Sequence, residues 1–140
     1  IEKAMQTLKE LLKNDIFAAR AGVELLVVEP GYARARMEVT PEHLNAGGVC
    51  QGGALFTLAD LAFAAVANSR QNLTLSLNAN MTFLRAVSSG FVYADAREVY
   101  PHRRVPFIEV RLSDEKGELI AMMTSSGYRK NDALPVDGLM

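Results

Sequence analysis

CQGGALFTLADLAFAAVANS, residues 50–69, is the stretch on which the reading of the fold turns. After Gly52-Gly53 it stays apolar for roughly four helical turns, with Asp60 as its one charge. That pattern predicts a helix over about 53–69. Leu55, Phe56, Leu58, Leu61, Phe63 and Val66 point in several directions around it. A helix that is apolar on every side is buried on every side. One layer of sheet covers only one face, so the pattern predicts a second copy against the outer face, a homodimer with a two-fold interface.

The flanking sequence supplies the sheet. VELLVVE (23–29) and YARARMEV (32–39) surround Pro30-Gly31 and read as a hairpin. Thr40-Pro41-Glu42 reads as a helical-turn start. Beyond the helix come only strand-like runs, at 73–87, 90–100, 105–114 and 118–130. Met5, Leu8, Leu11 and Leu12 form one stripe of an amphipathic N-terminal helix placed within 1–18, and 131–140 reads as a loose tail. The expectation is one domain over 1–140, of class α+β, with an antiparallel sheet wrapped around a single long helix.

Composition narrows the function classes. A chain of 140 residues with 49% apolar residues and a net charge of −1 is an ordinary globular domain, not a basic nucleic-acid binder. The longest apolar run, Ala54–Ala67, is too short to span a membrane. Cys50 is the only cysteine, which excludes an intrachain disulfide. The N-terminus does not read as a signal peptide, so the expectation is a cytoplasmic protein.

Asp60 and the glycines carry the chemistry. An ionised carboxylate buried without partners costs several kcal/mol or more. Asp60 therefore either bridges something, such as Thr57 or a strand backbone, or sits in a partly dry cleft as a base or nucleophile. Gly52-Gly53 opens the helix, where free amides can bind an anion or polarise a carbonyl. Asp60 lies eight residues beyond Gly52, ~12 Å along a helix axis, so one carbonyl carbon cannot touch both. Two antiparallel helices across a two-fold axis would set Gly52 of one copy against Asp60 of the other.

His43-Leu44-Asn45, Gln51-Gly52-Gly53, Leu58-Ala59-Asp60, Phe83-Leu84-Arg85-Ala86, Arg103-Arg104 and Ile108-Glu109-Val110 together resemble the hotdog-fold acyl-CoA thioesterases, in particular their phenylacetate-degradation branch. The resemblance spans about residues 20–130. It implies the hotdog fold, dimers that pair into dimers of dimers, and hydrolysis of an acyl-CoA substrate to acid and CoA with no other cofactor. It implies Asp60 as nucleophile or general base, the Gly52 amide polarising the carbonyl, and Asn45 holding substrate or water. Ser76 or Thr74 would position water, Gln51 and Gly53 would bind substrate, and Arg103 and Arg104 would meet the CoA nucleotide. Gln51 stands where this family usually has His. A carboxamide still donates and accepts hydrogen bonds, but it does not shuttle protons near neutral pH.

The remaining candidates are weaker. Cys50 and His43 invite a thiol–imidazole reading whose spacing matches no motif. His102, Arg103 and Arg104 read equally as a solvated turn or a phosphate clamp. Two isolated histidines predict no metal site. Leu55, Phe56, Leu58, Phe63 and Met81 are the expected pocket lining, pointing to an apolar or aromatic acyl group. A non-catalytic acyl-CoA-binding or sensing protein on the same fold is the alternative, and a purely structural homo-oligomer is a third.

Overall fold

In the alternating run YARARMEV every second residue turns inward, and these inward residues are small or flexible. A computed structural model describes residues 1–70 and 72–134. Its elements are α1 (Glu2–Leu12), α2 (Ile16–Arg20), β1 (Val23–Glu29), β2 (Tyr32–Val39), a 3-10 turn (Pro41–His43), α3 (Gly52–Ala67), β3 (Asn72–Phe83), β4 (Gly90–Tyr100), β5 (Phe107–Ser113) and β6 (Leu119–Ala133). The strands form one antiparallel six-stranded sheet in the order β1-β2-β4-β5-β6-β3. This is the expected α+β architecture, a sheet curled around one long helix.

The inner face explains how the helix fits. Ala33 pairs with Ala96 and Ala35 with Ala94 across β2 and β4. All four are fully buried, as are Leu58, Ala59, Ala62 and Val66 of α3. Methyl groups on both surfaces let helix and sheet approach closely, and larger residues (Met37, Val92, Ile108, Leu112) fill the flanks. On the outer face, guanidiniums lie over rings: Arg36 over Phe91 and Arg34 over Tyr93 at 4.6 Å, and Arg97 over Tyr32 at 4.5 Å. The aliphatic stems and rings cover the sheet while the charges stay in water.

Some boundaries differ from expectation, each for a local reason. The N-terminal helix expected within 1–18 is two helices. Asp15 Oδ1 accepts a hydrogen bond from the Ala18 amide at 3.0 Å and starts α2, so the chain turns between Leu12 and Ile16. Within the tail expected over 131–140, residues 131–134 are not loose, because β6 runs to Ala133 and Leu134 packs with Ala4, Met5 and Leu8. Residues 135–140 of that expectation lie outside the described residues.

The single chain also covers α3 further than the apolar pattern suggested. Leu61 is buried with Ala18 and Val23 of the N-terminal segment. Only a stripe remains open, with Gly53 and Asp60 exposed and Phe56, Thr57 and Ala64 half-buried. The edge strand β3 pairs with β6 alone, and its Leu75 and Leu77 stand in solvent.

Gly127 on β6 tests the β3–β6 seam. A Cβ there would come within 2.9 Å of both the Leu75 carbonyl oxygen and Thr74 Cγ2. A backbone oxygen in a ladder yields only by opening the ladder. Gly127→Ala is expected to cost about 1–3 kcal/mol, read as a lowered calorimetric Tm; an unshifted Tm would contradict this packing.

Candidate functional site

The amino end of α3 has spare hydrogen-bond donors. Its capping residue, Gln51, makes no side-chain capping bond. The Ala54 and Leu55 amides return to the Gln51 carbonyl at 3.0 and 3.3 Å, while the Gly52 and Gly53 amides find no acceptor among the described residues. Such amides carry partial positive charge and point outward along the axis. Carbon added at either glycine would crowd this end: the Phe83 ring lies 3.0 Å from a Cβ on Gly52, and Gln51 Oε1 lies 2.5 Å from one on Gly53.

The preceding loop is closed by Asn45. Its Oδ1 accepts from the Gly47 and Val49 amides at 2.9 and 3.2 Å, and its own amide donates to the Val49 carbonyl at 2.8 Å. Both loop roles use the oxygen or the backbone. The carboxamide NH2 makes no hydrogen bond among the described residues, and Asn45 lines the neighbouring cavity.

His43 welds this loop to its surroundings. Its Nδ1 accepts from the Thr40 amide at 3.0 Å, which places the proton on Nε2. That nitrogen donates to the Ala21 carbonyl at 2.6 Å, at the end of α2. Its backbone carbonyl accepts from the Gln51 amide at 2.8 Å. One residue thus joins the end of β2, the end of α2 and the start of α3. Both ring nitrogens are engaged, which removes the thiol–imidazole reading. Cys50 is buried, its Sγ lies 3.7 Å from the Gln51 carbonyl, and burial pushes its thiol pKa up.

Two clefts flank the α3 start. One, of about 320 Å³, is lined by Phe17, Ala21, Asn45, Gln51, Gly53 and Thr57, among others. The other, of about 360 Å³, is lined by Gly52, Leu55, Phe83, Leu84 and Arg85, among others. Asp60 lies on the same open stripe as Gly53 and Thr57, two turns further along. It makes no hydrogen bond or ion pair among the described residues, so the bridging role is not seen. Surrounding protein crowds one side of the carboxyl while water reaches the other. Its pKa is raised from the ordinary 3.8, first by this partial burial and then by the like charge of Asp15.

The other expected site residues scatter. Ser76 is exposed on β3, beside a bulge between Ser76 and Asn78. Thr74 does not present its hydroxyl to a ligand: it is 6% exposed and donates to the Asn72 carbonyl at 3.1 Å. Its amide donates to Asn68 Oδ1 at 2.9 Å, just past the carboxyl end of α3. Arg103 is exposed, and Arg104 donates to the Arg129 carbonyl at 3.3 Å. Their loop is shaped by His102 Nδ1, which accepts from the Arg104 and Val105 amides at 3.0 and 2.9 Å. It lies beside Arg129, which faces Thr74 on β3, at the carboxyl end of α3. A helix of 16 residues is ~24 Å long, so these arginines do not meet the Gly52 amide of their own chain.

The expected pocket lining also changes. Leu58 and Phe63 belong to the core, whereas Phe17, Ala21 and Thr57 line the cleft. The legible signal was Asp15 capping an Ile16-Phe17 pair that no core stripe uses. Among the described residues no cluster of His, Cys, Asp or Glu could hold a metal ion, and no helix is long and apolar enough to cross a membrane.

The sequence profile of the thioesterase superfamily matches residues 47–121, from the loop before α3 to β6. A crystal structure of a protein from Thermus thermophilus is 35% identical, covers 84% of this chain and 99% of its own, and superimposes with a TM-score of 0.79. The acyl-coenzyme A thioesterase PaaI of Escherichia coli K12 is 27% identical over 91% of each chain. The solved structure of the E. coli PaaI protein from the phenylacetic acid degradation operon is 26% identical, covers 94% of this chain and 96% of its own, and has a TM-score of 0.88.

His43→Ala would leave the Thr40 amide and the Ala21 carbonyl without partners. It is expected to cost about 1–3 kcal/mol in chemical denaturation, whereas a solvated histidine would cost almost nothing.

Proposed function

This chain belongs to the thioesterase superfamily and is a thioester hydrolase, and we propose that it cleaves acyl-CoA to a carboxylic acid and free CoA at a site shared by two copies of the chain. The observation that carries this reading is Asp60: an unpaired carboxylate of raised proton affinity on the one open stripe of an otherwise buried helix. The thioester carbonyl meets the free Gly52 amide, with Gly53 beside it. Asp60 of the facing copy removes a proton from water as the water oxygen attacks the carbonyl carbon, or attacks it directly to form an anhydride that water then opens. The C–S bond breaks, and the departing thiolate takes up the proton that Asp60 removed from water in the first route, or the one released by the water that opens the anhydride in the second. Asn45 steadies substrate or water through its NH2 group, and Ser76 orients water from the edge strand. Gln51 supplies a hydrogen bond at the helix start.

A two-fold axis beside α3 supports this arrangement in three ways. It brings Asp60 within reach of a carbonyl at the far helix start, which ~12 Å of helix prevents within one chain. It covers the open stripe of α3 and the unpaired edge of β3, where Leu77 is 61% exposed. It also carries the carboxyl end of one α3, with the loop holding Arg103 and Arg104, toward the amino end of the other, where those cations meet CoA phosphates. Pairing of such dimers into a tetramer belongs to the same proposal.

Gln51 favours a second reading, a non-catalytic acyl-CoA-binding or sensing protein, because a carboxamide rather than an imidazole directly precedes the two glycines. A thiol-release assay separates the two. Asp60→Asn is expected to lower kcat about 100-fold or more; equal turnover in the variant would sink the proposed role.

The same substitution has an expected effect on stability. A carboxyl with a raised folded pKa binds more protons folded than unfolded, so stability falls as pH rises above the ordinary 3.8. Asp60→Asn removes that loss. Its Tm is expected to exceed that of the natural protein at pH 7, with the gain shrinking toward pH 3.8 in a calorimetric pH series.

A further inference from the structure

We propose that Phe17 is the residue that selects the acyl group, and that the acyl chain lies in the cleft between α2 and α3. This rests on the thioesterase reading above. Phe17 is 72% exposed, in a helix of five residues whose buried member is Ala18. The ring is not part of the core and stands beside a cavity. The ring borders the 320 Å³ cleft with Ala21, Leu44 and Ala54, while Asn45 and Thr57 are polar members of the same lining. An apolar wall with a few polar groups suits a small apolar ligand group. The cleft reaches the Gly53 end of α3, where the carbonyl would sit, and runs on to Thr57, ~6 Å further along the axis. That length accommodates a ring or a short chain.

Charge decides which half of the substrate enters. No lysine or arginine among the described residues lines this cleft, and Glu42 stands in it. Arg85, in the cleft on the other side of the helix start, already pairs with Glu118 and Asp114. Glu42 disfavours the CoA phosphates in the first cleft, and the proposed dimer sets them on Arg103 and Arg104 of the facing copy, so the uncharged acyl part takes the side of Phe17. The wall is held in place rather than free. Asp15 caps α2 at its start, and His43 Nε2 binds the Ala21 carbonyl at its end. Thr57 Oγ1 donates to its own helix, at the Gly53 carbonyl, so it offers the ligand only acceptor capacity.

The test compares the natural protein with Phe17→Ala and Phe17→Leu. Thiol release is measured with acetyl-, hexanoyl- and benzoyl-CoA, and calorimetry measures binding of the non-hydrolysable thioethers S-ethyl- and S-hexyl-CoA. For Phe17→Ala, the ratio of kcat/KM for hexanoyl or benzoyl over acetyl is expected to fall about tenfold, carried by KM. Phe17→Leu should restore the hexanoyl ratio in part and the benzoyl ratio less. Equal ratios in all three proteins overturn the inference while leaving hydrolysis intact. Should the natural protein hydrolyse nothing, the proposed reaction fails and the thioethers decide the inference. A preference for S-hexyl over S-ethyl that Phe17→Ala abolishes supports it; a preserved preference, or no binding, overturns it.

Discussion

The contact between α3 and the paired alanines of β2 and β4 is the constraint from which the rest follows. Ala33, Ala35, Ala94 and Ala96 leave no bulk between sheet and helix, so the helix lies deep in the curl of the sheet. Depth fixes which residues stay uncovered. A shallower helix would expose several turns; this one exposes a stripe containing Gly53 and Asp60. The open carboxylate is therefore placed by packing. A carboxylate in that stripe is crowded enough to hold its proton more tightly than in water, yet is not sealed off.

Much of this was legible in the residues. The apolar run from Ala54 to Ala67 announced the central helix, and alternation in YARARMEV announced a strand with one buried face. Asp60 stood out because nothing apolar needs it. The motif around Asn45, Gln51 and Gly52 likewise marked the helix start as a place with unspent donors. These are local signals, and the structure realises them locally.

What the sequence hid depends on contacts between distant segments. His43 invited a pairing with Cys50, because its actual partners Thr40 and Ala21 cannot be inferred from spacing. Thr74 and Ser76 look alike on an alternating strand, yet one turns inward against Asn68 and the other stands in water. Leu58 and Phe63 share the apolarity of a pocket wall but belong to the core, since the sheet wraps further than a flat layer would. The role of α2 was faint for a related reason, with Asp15 ahead of Ile16-Phe17 its one signal. Five residues are too few for periodicity to show a face.

The shortness of α2 has a consequence for how such a protein can change. Ala18 anchors it in the core, a carboxylate caps one end and an imidazole binds the other, while its ring-bearing side is not part of the core. Substitutions on that side leave the helix-and-sheet frame untouched. Descendants of one ancestor can thus acquire different diets while inheriting the same skeleton, because taste and durability are assigned to separate pieces of chain.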